Sequence, residues 1–513
     1  MDGPLLVLDP RDGAPIGVRL VDGVRRGILG GLLAPGDPVP STRALAAELG
    51  VSRSSVVAAY EQLAGEGYLE LRQGAPTRVA RLVVEPEASA PSLSPSPSPV
   101  AGPSDRTGPE APRGDEPPLL RIDLLPGIPS TARIDERAWR SAWRRAAAAP
   151  IPRSSPPRAG LAGLRVEIAD HLRQARGVGC TSDDLVVTAG TSDALGLLGA
   201  ALLELARDDG GAGGAPPVVA VEHPGYPSAR RLLERRGLVI APLPVDADGL
   251  DLDALRRMPR PPQAVMVTPS HQYPLGGRLP VASRLELIDW ARATGALIIE
   301  DDYDSEFRHL GAPLPALASL DRLGAAGGRT GPGTERSSER TVLVGSFSKV
   351  LTPWLRLGYL VLPADPALRA AVLRIRADEP CPVAGPAQEA MRVFLASGAL
   401  RRHIAATRRD YAHRRRMVQS VLGELPGAPL SGLDGGLHAV VGLHDAEASA
   451  AIVARLAEEG VGVAPLADYS AVPGERPGGI VFGYAGVGDA LLGEGLARIR
   501  AALVDTLAPG RRE

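Results

Sequence analysis

The residues with the clearest chemical potential are Gly345-Ser346-Phe347-Ser348-Lys349, followed seven positions after the lysine by Arg356. Two hydroxyls just before an amine and a guanidinium just after it can hold a phosphate beside a nucleophile. The lysine stands out because it is the chain's only one: of 57 basic residues, all but Lys349 are arginine. Arginine keeps its proton near neutral pH and cannot form an imine, so a lone lysine points to a place where only an amine serves. A second group ends the apolar run Ala296–Glu300, where Asp301, Asp302 and Tyr303 follow directly.

These groups need a scaffold, and the apolar pattern supplies one. Strand-like runs at Leu185–Thr188, Val218–Val221, Ala264–Val267, Leu297–Glu300, Val342–Gly345 and Tyr359–Leu362 alternate with amphipathic helical runs. This rhythm predicts an α/β fold with a largely parallel sheet, in which ligands sit beyond the carboxyl ends of the strands. Several runs end in candidate residues. The turn after Thr188 carries Gly190, Thr191 and Ser192, whose amides and hydroxyls can cradle a phosphate at a helix N-terminus. Tyr226 follows the next strand, and the loop Pro269–Gly277 brings Tyr273. From about Pro386 the pattern predicts a long arginine-rich helix, then a smaller α/β unit to the C-terminus.

At 513 residues the chain is long enough for more than one domain. Residues 81–119, rich in Pro, Ser, Ala and Gly, hold too few large apolar side chains to build a core and read as a linker. They separate a head, residues 1–80, from a body, residues 120–513. Gly324–Arg340 reads as a surface loop within the body. In the head, Val18–Leu29 has helical spacing, Ser41 caps a helix that stops at Gly50, and Ser52 caps another that runs to about Gly65. The two-residue turn Gly50-Val51 has helix-turn-helix spacing, and Gly67–Val79 alternates around a glycine turn like a small hairpin.

Formal net charge is −2, so any nucleic-acid surface must be a local patch. Cys180 and Cys381 share no ligand spacing with histidines, so neither a zinc site nor a disulfide framework is expected, and no metal is expected elsewhere. The N-terminus lacks a basic-then-apolar leader and no run is long enough to span a bilayer, so the expectation is a cytoplasmic protein without membrane contact.

Pro35-Gly36-Asp37, Pro40-Ser41-Thr42-Arg43, Leu49-Gly50-Val51-Ser52-Arg53 and Glu66-Gly67-Tyr68 together resemble the GntR-type winged helix. That resemblance implies contacts from Arg43, Arg53, Ser54 and Ser55 to phosphates and base edges of a double-stranded DNA operator, with Gly74 letting the wing approach closely. The lysine segment resembles fold-type I pyridoxal-phosphate enzymes. It implies that Lys349 binds pyridoxal 5′-phosphate covalently, that Asp301 pairs with the pyridine nitrogen (Asp302 being the rival) and that Tyr303 donates to the ring oxygen. Tyr226 would stack on the ring, while Gly190, Thr191, Ser192, Ser346, Ser348 and Arg356 would hold the phosphate. Tyr273 stands where many aminotransferases carry an asparagine.

Head and body together resemble the MocR/GabR family of bacterial regulators. The family implies a winged helix joined to an aminotransferase-like body with a large and a smaller α/β domain, a small-molecule effector, and a head-to-tail homodimer. One departure bears on the effector. Where enzymes of this fold hold a substrate carboxylate with arginine, Val481 occupies the matching position in Gly479–Ala485. This argues against an active aminotransferase with a DNA-binding appendage, and against an amino-acid effector. It favours pyridoxal phosphate itself as the signal, with an amine or amino acid as the alternative effector.

Overall fold

The computed structural model describes residues 16–29, 33–34, 36–65, 68–70, 76–79, 120–210, 215–309, 314–326 and 339–507. The head contains α1 (Ile16–Leu29), α2 (Thr42–Leu49) and α3 (Arg53–Gly65). Ser41 Oγ accepts from the Ala44 amide at 3.1 Å, and Gly50 ends α2 at a φ of 63°, which glycine adopts without strain. Ser52 Oγ accepts from the Ser55 amide at 3.1 Å and so caps α3. Leu20, Val24, Leu45, Val56 and Leu63 fill the space between the three helices. Leu69–Glu70 pairs antiparallel with Arg78–Val79, the base of the expected hairpin. Gly74, the linker at 81–119 and most of the loop assigned to Gly324–Arg340 lie outside the described residues.

The body is built on an eight-stranded sheet. Its strands are β1 (Leu185–Thr188), β2 (Val218–His223), β3 (Val239–Asp246), β4 (Gly249–Leu250), β5 (Ala264–Val267), β6 (Leu297–Asp302), β7 (Thr341–Ser346) and β8 (Gly358–Val361). Their spatial order is β1-β8-β7-β6-β5-β2-β3-β4. β7, β6, β5, β2 and β3 run parallel; β8 is antiparallel to both β1 and β7, and β4 is antiparallel to β3. All six expected strands are present, two with the expected bounds and four with ends shifted by one to two residues.

Alternate residues of the central strands enter different cores. Ile298 and Val265 pack with Leu287 and Ile288 on one face, while Ile299 and Met266 pack with Leu195 and Leu198 on the other. Burial on both faces explains why these strands read as continuous apolar runs. The helix expected from about Pro386 is two helices, Gly385–Ala396 and Ala399–Leu422, separated at Gly398, whose φ is 69°. A smaller antiparallel sheet follows, ordered Leu430–Ser431, His438–Gly442, Gly479–Gly483 and Ala464–Pro465.

One buried cation fastens the loop after β5 to the large sheet. Arg284, wholly buried, donates to the carbonyls of Pro269 (2.5 Å), Leu279 (2.8 Å) and Pro315 (2.8 Å). Arg284→Met roughly keeps the volume and leaves the Leu279 and Pro315 carbonyls without the guanidinium donors, while Pro269 keeps the Leu279 amide. The expected loss is about 3 kcal/mol of unfolding free energy, read from denaturant melts of the full chain. A loss under about 1 kcal/mol would mean water replaces the guanidinium.

Candidate cofactor site

Strand alternation sends the three consecutive carboxylates of β6 to different tasks. Glu300 accepts from the amides of Leu317 and Ala318, both at 2.9 Å, and caps the helix Leu317–Ala326. Asp302 pairs with the Arg176 guanidinium at 2.7 Å, both side chains being buried. Asp301 points the other way, into a cavity of about 170 Å³ at the carboxyl edge of the sheet. Its Oδ1 is buried without a hydrogen-bond partner. Burial, then the neighbouring Asp302, Asp304 and Glu222 carboxylates, push its pKa up to about 7, against a smaller opposing pull from Lys349. Of the two aspartates weighed from sequence, Asp301 is the one that lines the cavity.

Lys349 reaches the same cavity from the turn after β7 and donates from Nζ to the Gly127 carbonyl at 2.8 Å. Burial lowers its pKa, and Asp301 and Asp304 only partly restore it. Gly127 has a φ of 88°, which strains any other residue, and a Cβ there would lie 2.5 Å from Nζ and displace the lysine head. Thr191, Ser192, Tyr226, Tyr303, Ser346, Ser348 and Arg356 complete the set expected from sequence, all lining this cavity. Gly190 forms the turn before them, with a φ of 83°. Arg356 holds a φ of 45°, the one positive value at a non-glycine among the described residues, just before β8. Such a conformation costs roughly 1–2 kcal/mol and persists only where the surroundings enforce it.

Arg356, the hydroxyls of Thr191, Ser192, Ser346 and Ser348, and a helix N-terminus suit a phosphate. Lys349 suits a carbonyl, and the unpartnered Asp301 carboxylate suits a protonated ring nitrogen. The residues present therefore fit pyridoxal phosphate.

Sequence reasoning left out Gly127, Thr268, Pro353, Leu437 and His438, which also line the cavity. His271, quoted only as part of its loop, sits behind Tyr303. Its Nδ1 lies 2.9 Å from Asp304 Oδ2 and its Nε2 lies 3.1 Å from the Gly432 carbonyl. Nδ1 also lies 3.1 Å from the Tyr303 hydroxyl, and the ionised Asp304 and the Gly432 carbonyl both favour a protonated ring. Burial opposes that charge, but the Asp304 carboxylate outweighs it and raises the pKa. His271, Asp304 and His438 are close enough to hold a metal ion, but each imidazole already donates to a carbonyl, His438 to Pro274 at 2.9 Å. The group reads as a buried ion pair beside a neutral histidine.

In the head, Arg43, Arg53 and Ser54 are exposed and Ser55 is half-buried. Arg53, Ser54 and Ser55 form the first turn of α3, where Ser52 Oγ bonds both serine hydroxyls, at 2.9 and 2.8 Å. Residues 17–79 match the gntR family of bacterial regulatory proteins, and residues 127–499 match aminotransferase class I and II. The pyridoxine biosynthesis transcriptional regulator PdxR of Corynebacterium glutamicum is 42% identical over 93% of this chain and 94% of its own. The chain belongs to the MocR-type transcriptional regulators. The probable rhizopine catabolism regulatory protein MocR of Rhizobium meliloti is 31% identical, covering 98% of this regulator and 96% of its own length. Among solved structures, the α-aminoadipate aminotransferase LysN of Thermus thermophilus matches the regulator's body. It has a TM-score of 0.64 and 24% identity, over 76% of this chain and 94% of that one, which shows the shared fold.

Asp301 gives the cofactor-free regulator a distinctive pH response. Its pKa rises from 3.8 unfolded to about 7 folded, so the folded state holds the extra proton between those values. Stability therefore falls as pH rises from about 4 to about 7 and stays low above that. Asp301→Asn should stabilise the cofactor-free chain by about 4 kcal/mol at alkaline pH, and the gain should shrink toward acid pH. Denaturant melts at the two extremes check this; an equal gain at both would exclude titration as the cause.

Proposed function

We propose that the regulator holds pyridoxal phosphate on Lys349, and that occupancy of this site sets its affinity for a DNA operator. The observation that carries this reading is the buried, unpartnered Asp301 carboxylate, which shares a cavity with the chain's single lysine. Bound there, the cofactor supplies an aldehyde open to amine attack and an electron-withdrawing ring. Lys349, with its lowered pKa, provides the neutral amine that takes the aldehyde. Asp301 keeps a proton on the ring nitrogen, Tyr303 donates to the ring oxygen and Tyr226 covers the ring. Gly190, Thr191, Ser192, Ser346, Ser348 and Arg356 bind the phosphate.

The signal we assign is pyridoxal phosphate itself. Val481 is wholly buried among Val440, Leu466 and Tyr469, so no guanidinium arises from that position to hold a substrate carboxylate. The C. glutamicum relative is named for pyridoxine biosynthesis, which agrees with such a signal. Arg43, Arg53, Ser54, Ser55 and the wing at Gly74 read the operator in the cytoplasm, as a head-to-tail homodimer.

Two tests follow. Pyridoxal phosphate added to the full chain should produce a visible absorbance band, and borohydride should fix one cofactor to the peptide containing Lys349. Lys349→Ala should show neither, and a band in that variant would place the cofactor elsewhere. Arg53→Ala should weaken operator binding about ten-fold or more while leaving the cofactor band unchanged, with affinity falling as salt rises. Normal operator binding by that variant would refute the assignment of α3 as the reading helix.

A further inference from the structure

Two cations line the cavity, Lys349 and Arg356. On the reading above, on which this inference rests, both are committed: Lys349 to the aldehyde and Arg356 to the phosphate. Asp301 is likewise committed to the ring nitrogen. What remains for a second ligand is Gly127, Thr268, Tyr273, Leu437 and His438.

The state of His438 decides what those groups can accept. Its Nε2 is 2.9 Å from the Pro274 carbonyl, which only accepts, so Nε2 carries the proton. The His271 ring lies 5.0 Å away, centroid to centroid, and its pairing with Asp304 favours its charged form. Burial first, and then that neighbouring charge, hold the His438 pKa down at about 3. His438 is therefore neutral, and its Nδ1 offers a lone pair with no hydrogen bond from any described residue. The Tyr273 hydroxyl is engaged with the Tyr469 hydroxyl at 3.2 Å. Tyr273 packs against the buried Val440, Leu466 and Val481, and the apolar residues of the cavity itself are Pro353 and Leu437.

We infer that the cofactor-loaded cavity takes small primary amines that lack a carboxylate and carry a second hydrogen-bond donor for His438 Nδ1, and that it rejects α-amino acids. An entering carboxylate would meet a lone pair, a phenol already bonded and the apolar Pro353 and Leu437. An unpaired anion at such a site is expensive, whereas an amine or hydroxyl finds an acceptor in place. The rejection has a use in a sensor whose signal is the cofactor: abundant amino acids cannot occupy the site and mask the signal.

The test is calorimetric titration of the full chain, loaded with pyridoxal phosphate, using ethanolamine, L-serine and ethylamine. Ethanolamine is serine without its carboxylate, and ethylamine is ethanolamine without its hydroxyl. Ethanolamine should bind most tightly, with serine weaker by about ten-fold or more. His438→Leu should reduce ethanolamine to the level of ethylamine, and His438→Asn, which keeps an acceptor, should retain most of the difference. The visible cofactor band and the melting temperature report whether each variant remains folded and loaded, and the wild-type series decides the matter without them. Serine binding as tightly as ethanolamine, or no binding by any of the three, would overturn the inference while leaving the cofactor site intact. A chain that takes up no pyridoxal phosphate shows no band at the outset; that result would overturn the underlying reading and this inference with it.

Discussion

Asp301 is a buried carboxylate at the wall of the cavity, and no protein donor meets its Oδ1. Such a group is unstable on its own and becomes favourable when a cation enters beside it. Much of the surrounding structure serves to keep it in that condition. On the other side of β6, Glu300 is satisfied by helix amides and Asp302 Oδ2 pairs with Arg176, while Asp302 Oδ1 also lacks a partner; these contacts anchor the strand end. Register then places β7 beside it, with Val344 opposite Asp301, so that the turn beyond Ser346 delivers Lys349 to the same cavity. A carboxylate on one strand and an amine after the next are brought together by parallel pairing alone.

The sequence revealed those parts of the fold whose signals are local. Continuous apolar runs marked the six strands, and Ser41, Gly50 and Ser52 marked the helix ends of the head. β3 was missed because Pro242 and Pro244 interrupt Val239–Asp246 and read as breakers. Its partner beyond is only the two-residue β4, so the strand tolerates prolines as near-edge strands do. Gly127 and His438 were missed for another reason. Gly127 meets Lys349 across 222 positions of chain, and His438 enters from the smaller sheet, so no local spacing points to either. The choice between Asp301 and Asp302 also needed coordinates, because it depends on which face of β6 meets Arg176.

The same scaffold can serve an enzyme or a sensor, and the difference lies in a few side chains. LysN shares the fold over most of the body. Here the position we assign to a substrate-carboxylate clamp is buried valine, and burial first, then the neighbouring His271, lowers the pKa of His438 in the cavity wall. Neither feature weakens the grip on the cofactor. Both reduce what else can be held beside it, which suits a protein whose output is DNA binding.

The central claim is that one covalent site in the body governs the head. The most direct measurement is the affinity of the full chain for a duplex it selects from random sequence, with and without pyridoxal phosphate. Wild type should be compared with Lys349→Ala. The account predicts a change of about five-fold or more in wild type and none in the variant. Equal responses in both proteins, or none in wild type that has demonstrably taken up the cofactor, would contradict it.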